Sequence, residues 1–437
     1  MLLRLIVALL LCACGAKTGL SVGASDLGAR DGGWLDDLGD GGTDADPGVD
    51  ERPACLEALE PGTVRGELES LASRVVFDRS GNLFGVRSNG EERELVRWNP
   101  CLEETWAVPL ASAPATHTPF LKVGTAGEIY VTIPGGLATV SASGAVLAPL
   151  LPPSRHLVDL IATRPYPIAL SGTGLPTVVE LRAFPSGRPP IEEVAGVVEG
   201  IRPDNGGCLV ARDVVSCGHG SLSFRVNDLS TIYTRPVEDP SFGTRLPATD
   251  GERLFASGRH DERHELRAHS LATGDLLWVR DLESPFNLDR WAVSAPVYAQ
   301  GLVFVHHSAG EPDDLTGRLD AFDVGGALRW THVVPSSPDD GIQSLNRSHL
   351  AVGDTGLLYL PTGSELHALT IMGELEWRAP LPANVDAPLL NLSPFGDLAL
   401  RTAEGSTLIV ATDCSGPAID GWPIASHDPQ ATNAFEP

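Results

Sequence analysis

The stretch Leu319-Asp-Ala321-Phe322-Asp-Val-Gly-Gly326-Ala-Leu-Arg-Trp330 joins a strand-like alternation to a glycine turn and then to a tryptophan four residues beyond the second glycine. It recurs along the chain. Leu266-Arg-Ala268-His leads to Gly274 and Trp278, and Leu366-His-Ala368-Leu369 leads to Gly373 and Trp377. Leu181-Arg-Ala183-Phe184 leads to Ser186-Gly187 without a tryptophan. Looser copies start at Leu95, running to Trp106; at Leu137, running to Gly144; at Leu222, running to Tyr233; and at Leu408, running to Gly416. Successive leucines lie 42, 44, 41, 44, 53, 47 and 42 residues apart.

A period in the forties means that each unit leaves apolar faces that only its neighbours can cover. Upstream of several leucines lies a second alternating stretch, such as Leu302-Val-Phe304-Val305 or Leu357-Leu-Tyr359-Leu360. Before that comes a proline-led one, such as Ala295-Pro296-Val297 or Ala387-Pro388-Leu389. With the tryptophan strand this makes four strands per unit. The expected fold is all-β: a single β-propeller of eight four-stranded blades, or of seven if one weak copy belongs to a loop. The 47 glycines and 35 prolines, beside 6% aromatics, suit many short strands and turns. Closing such a ring requires the chain ends to pair, and residues 56–77 and the C-terminal tail are the candidates.

The pattern Leu-x-Ala followed by Gly-x-x-x-Trp resembles the repeat of pyrroloquinoline-quinone-type propellers over roughly residues 70–420. The resemblance implies that Trp106, Trp278, Trp330 and Trp377 are docking anchors between blades. Relatives of this repeat are either quinoprotein dehydrogenases or binding-only lipoproteins, such as the propeller subunit of the outer-membrane barrel assembly machinery. The dehydrogenases use a pair of adjacent cysteines over their cofactor, and no two cysteines are adjacent here. Nor does a Cys-x-x-Cys-His haem attachment motif occur. The expectation is therefore a non-catalytic scaffold for a protein or glycan partner, without a cofactor or metal. The alternative is a divergent quinoprotein or another enzyme with a site on the propeller axis, for which His269, Asp320 and His367 fall near one another in phase.

Residues 1–13 read as a lipoprotein signal peptide. Leu5 to Leu11 form an apolar run too short to span a bilayer, which needs about 20 residues. Leu11-Cys-Ala-Cys14-Gly15 resembles a bacterial lipobox, which implies lipidation of Cys14, and Gly15 in place of an aspartate implies the outer membrane, with the periplasmic or surface side left open. Residues 14–53 are rich in Gly and Asp and lack apolar periodicity, so they are expected to form a disordered acidic tether ahead of a propeller over 54–437. The whole chain carries a net charge of −26. Nine of its 57 acids lie in residues 1–53, so the acidity belongs chiefly to the propeller, which argues against nucleic acid as a partner and for membrane attachment through lipid alone. A monomer is expected.

Five cysteines remain in the mature chain beyond the export segment. Cys208 and Cys217 flank a hairpin that turns at Arg212-Asp213, which sets them opposite each other for a disulfide. Among Cys55, Cys101 and Cys414 the pairing stays open: Cys55 with Cys414 would staple the ring ends, and Cys55 with Cys101 would pin the leading segment to the first blade. His260-Asp-Glu-Arg-His264 imitates a zinc helix but is expected at a solvated hairpin tip. His306 and His307 are placed at a strand end before the acidic loop Ser308-Ala-Gly-Glu-Pro-Asp-Asp314, where with Trp291 they are candidate partner contacts. Trp34 and Trp98 share with Trp291 a position off the repeat period.

Overall fold

A computed structural model describes residues 53–56, 59–111, 119–124, 127–133, 136–147, 247–260, 263–282, 293–309, 316–334, 350–362, 364–382, 385, 390–402 and 404–418, together with the strands between 156 and 234 and at 434–435. By its internal contacts the chain divides into Met1–Glu51 and Arg52–Pro437. The first unit, with Cys14 and Trp34, lies outside the described residues, as does Trp291.

The second unit holds eight antiparallel four-stranded sheets, one of them extended by a fifth strand. In chain order the blades span 76–110, 121–147, 156–197, 208–234, 248–282, 297–334, 351–380 and 391–411. Within a blade the strands run outward in sequence order, so blade 6 is Val297–Ala299, Leu302–Ala309, Thr316–Asp323 and Leu328–Val334. Buried apolar clusters join blade 1 to 2, 4 to 5 and 6, 6 to 7, 7 to 8, and 8 back to 1. Blade 3 touches blades 2 and 4 through its innermost strand. The ring is therefore closed.

The Leu-x-Ala motif is explained by cross-strand packing. Ala321 stands opposite Phe304 on one side and Trp330 on the other, and Ala268 and Ala368 stand likewise between Phe255 and Trp278 and between Tyr359 and Trp377. Strands two apart lie about 9.5 Å apart. Over a methyl group the two rings lean together until their centroids are 5.9 Å, 6.0 Å and 6.1 Å apart in blades 6, 5 and 7. In blade 1 Arg97 takes the alanine position and lays its guanidinium over Phe84. All four blades carry a bulge immediately after this position. The tryptophan, paired with the alanine on one face, reaches the next blade.

Closure uses the N-terminus. The fourth strand of blade 8 is Val64–Leu68, hydrogen-bonded to Thr407–Ala411, so Gly416 does not lead to that strand as the repeat spacing suggested. The tail instead contributes Ala434–Phe435, a parallel strand beside Cys208–Ala211 of blade 4. The eighth repeat is also offset by one residue: Ile409, opposite Ala399, occupies the alanine position, and Thr407 takes the place of the leucine.

Candidate functional site

Because neighbouring strands alternate in direction, the ring has two unlike faces. One collects the connections between strands one and two and between strands three and four, which among the described residues are tight turns. In the turn Asp323–Ala327 the Asp323 carboxylate accepts the Ala327 N–H, and Gly326 adopts φ 82°. The other face collects the hairpins between strands two and three and the blade-to-blade connections. The latter are 7 to 16 residues long.

The tryptophans fasten the tight-turn face. Trp278 Nε1 donates to Val324 O of the next blade at 2.9 Å, Trp330 to Ile371 O at 2.9 Å, Trp106 to Ala142 O at 3.3 Å and Trp377 to the Asp413 carboxylate at 3.0 Å. Each of the first three indoles lies on the left-handed glycine of the turn it reaches: Gly326, Gly373 and Gly144 respectively. A Cβ at Gly373 would come within 2.7 Å of the Trp330 ring, so both the backbone angle and the close approach require glycine there. Trp98, off the period, is buried in the cluster between blades 8 and 1.

Toward the long-connection face the gaps between blades hold buried charge. The residues on either side of the repeat leucine pair with each other in three successive blades. Arg267 bonds Glu265 at 2.8 Å, Arg318 bonds Asp320 at 2.8 Å, and His367 bonds Glu365 at 3.1 Å. Such i, i+2 positions share one face of a strand. The position between Leu and Ala is thus filled by Arg267, Asp320 and His367, while His269 sits two residues farther on, opposite Leu254.

Asp320 has the densest set of partners: His307 Nε2 at 2.9 Å, Arg318 Nε at 2.8 Å and the Thr331 hydroxyl at 2.7 Å. Burial pushes its carboxyl up, but the His307 bond and charge, with Thr331 and Arg318, outweigh that and hold it below the usual range. A histidine oriented by a carboxylate has the outline of a general base. The His307 side chain is 0% exposed, however, so no substrate reaches it while the blades are packed. The arrangement fastens blade 6 internally, where it faces blade 5.

His306 and His307 therefore do not lie at an exposed strand end. The second strand of blade 6 continues through them to Ala309, and both side chains are buried in opposite blade gaps. His264 is likewise inside a strand and buried, since the hairpin leaves only residues 261–262 between Arg253–His260 and Arg263–Ser270. Burial, followed by the charge of His307, pushes His306 down to about 3 from its ordinary 6.5. Burial and His367 likewise lower His332, which meets His367 edge-on between blades 6 and 7. A lowered histidine favours the folded state fully above the unfolded value of 6.5, and that contribution is lost as pH falls from 6.5 toward 3. For His306 the slope is about 1.4 kcal/mol per pH unit. The expected result is a melting temperature that drops steadily below pH 6.5 and drops less in His306→Phe, compared by calorimetry at pH 7.5 and 4.5.

Cys55 is bonded to Cys101, with Cα atoms 5.7 Å apart, and Cys414 is a buried free thiol whose pKa burial raises. Cys208 stands directly opposite Cys217 in the antiparallel pairing of Cys208–Ala211 with Val214–Cys217. Among the described residues no three His, Cys, Asp or Glu side chains gather as a metal site. A cleft of about 580 Å³ opens beside the Asn89–Glu92 hairpin of blade 1, lined in part by Ser70, Arg87, Arg93 and Leu110. Arg87 is fixed there by Glu94 and Glu104, whose carboxylates raise its pKa.

Residues 220–403 match the family model described as outer membrane protein assembly factor BamB. No curated protein matches the chain. Among solved structures it is similar to BamB from Moraxella catarrhalis, at 12% identity and TM-score 0.39, covering 81% of this chain and 100% of that one. It is similar to virginiamycin B lyase from Staphylococcus aureus, at 8% identity and TM-score 0.43, covering 79% and 97%. It is also similar to the quinohemoprotein alcohol dehydrogenase ADHIIG from Pseudomonas putida HK5, at 10% identity and TM-score 0.48, covering 80% and 77%. Identities and scores this low carry nothing about substrate or partner. With its Leu-x-Ala and Gly-x-x-x-Trp units packed blade against blade, the chain is a β-propeller, and residues 220–403 of it match that family model.

Proposed function

We propose that this chain is a lipid-anchored scaffold of the bacterial outer membrane that holds a protein partner on the long-connection face of its ring. The observation that carries the reading is the contrast between the two faces. One presents, among the described residues, tight turns fastened by indoles; the other receives the blade-to-blade connections and the cleft beside Arg87. A rigid ring with loops from each blade on one side suits recognition of an extended surface. The family model points the same way, since its description is that of an assembly factor of the outer membrane. The ion pairs link neighbouring positions within the blades, and the His307 and Asp320 side chains are 0% and 3% exposed.

In this reading Cys14 carries the lipid, residues 14–53 are the tether, Cys208 and Cys217 form a disulfide, and the protein acts as a monomer without a cofactor. Radiolabelled palmitate is expected in the wild-type protein and absent from Cys14→Ser, which moves from the membrane to the soluble fraction. Continued membrane fractionation of the variant contradicts the anchor. A glycan partner would show as binding that survives protease treatment of the envelope extract.

A further inference from the structure

The seam between blades 8 and 1 lacks the indole dock found between blades 1 and 2, 5 and 6, 6 and 7, and 7 and 8. The residue opposite the alanine position of blade 8 is Gly66, facing Ile409, where blades 5, 6 and 7 present Trp278, Trp330 and Trp377. The turn it must dock on, Asn99–Glu103, is also inverted. Its left-handed position, glycine in the turns of blades 2, 6 and 7, is Leu102 at φ 65°. Leu102 reaches back across the seam so closely that a Cβ on Gly66 would lie 2.5 Å from its Cδ1. One isobutyl group thus replaces a hydrogen-bonded indole.

The Cys55–Cys101 disulfide lies at this point. Cys101 precedes Leu102 in the blade 1 turn, and the Cys55 carbonyl accepts a 2.8 Å bond from Arg65, which is itself ion-paired at 2.5 Å with Asp397 of blade 8. One sulfur is therefore tied to blade 8 and the other belongs to blade 1. Among the described residues the seam also holds the apolar cluster, the Phe395 ring against Gly81, and a bond from Asn391 Nδ2 to Val75 O at 3.2 Å. We infer that the Cys55–Cys101 disulfide is a covalent replacement for the missing tryptophan dock, so that the ring is clasped when these thiols are oxidised and opens at strand Val64–Leu68 when they are reduced. Closing the clasp transfers two electrons and two protons from the thiols to a disulfide donor of an oxidising compartment, whose own S–S bond breaks. The inference rests on the blade packing alone and stands or falls independently of any partner.

Hydrogen exchange read by mass spectrometry on the full chain tests it. In the double variant Cys55→Ser/Cys101→Ser, amides of 64–68 and 407–411 are expected to exchange at least tenfold faster than in the oxidised protein, with 316–334 of blade 6 unchanged. Adding Gly66→Trp and Leu102→Gly, which rebuilds the dock, is expected to restore that protection. Should the double variant fail to fold, the native protein is compared before and after dithiothreitol, with Cys55 and Cys101 confirmed free by alkylation. Unchanged protection at 64–68, acceleration spread evenly over the described blades, or no recovery in the rebuilt variant overturns the inference.

Discussion

Asp320→Ala lowers the unfolding free energy by about 3–5 kcal/mol, the range for removing one member of a buried ion pair. The side chain is 3% exposed and accepts bonds from His307, Arg318 and Thr331. Its loss leaves a guanidinium and an imidazole facing blade 5 with their shared acceptor gone, so the cost falls on the partners that remain. Asp320→Asn keeps the shape but not the charge and is expected to cost less, because an amide oxygen still accepts one bond. Urea unfolding measures both. A loss under about 1 kcal/mol in the alanine variant would mean that the network is a bystander to packing.

Trp330→Ala is expected to cost about 3 kcal/mol, at the low end for removal of a large core aromatic because the indole is only partly buried. Three things go together: the ring contact with Phe304, the bond to Ile371 O, and the cover over Gly373. Trp330→Phe restores the first and part of the third, so a loss of about 1 kcal/mol is expected, matching one hydrogen bond. Hydrogen exchange should localise the damage to blades 6 and 7. If Trp330→Ala melts like the parent protein, the tryptophans are not docks.

The repeat was legible because the same packing problem is solved in the same way many times: a small residue beneath two rings, then a left-handed glycine beneath the neighbour's indole. Residues 56–77 do hold the strand that closes the ring, but the motif of blade 8 is hard to read because it breaks both rules at once. Gly66 and Leu102 exchange roles, and the fourth strand lies more than 300 residues upstream of its partner. The hint was Gly62-Thr-Val-Arg-Gly66, a Gly-x-x-x unit with no tryptophan, close to a cysteine. The histidines were misjudged because a polar pair after Leu302-Val-Phe-Val305 looks like a strand end. In a propeller both faces of a sheet are covered, so a polar strand continues if its groups find partners, as His307 does in Asp320. The charge pairs flanking the repeat leucine were visible as Glu265/Arg267, Arg318/Asp320 and Glu365/His367, but alternation alone did not tell a gap between blades from a solvated face.

In the proposed function the ring is the frame and the long-connection face is the working surface. Site-specific photo-crosslinking in the native envelope tests it most directly. A benzophenone side chain is placed at Glu91, exposed in the strand two–three hairpin of blade 1, and in a second protein at Ser143, exposed in a tight turn of blade 2. The account predicts one protein species captured reproducibly from Glu91 and none from Ser143. Capture from Ser143 alone, or the same species from both positions, would contradict it.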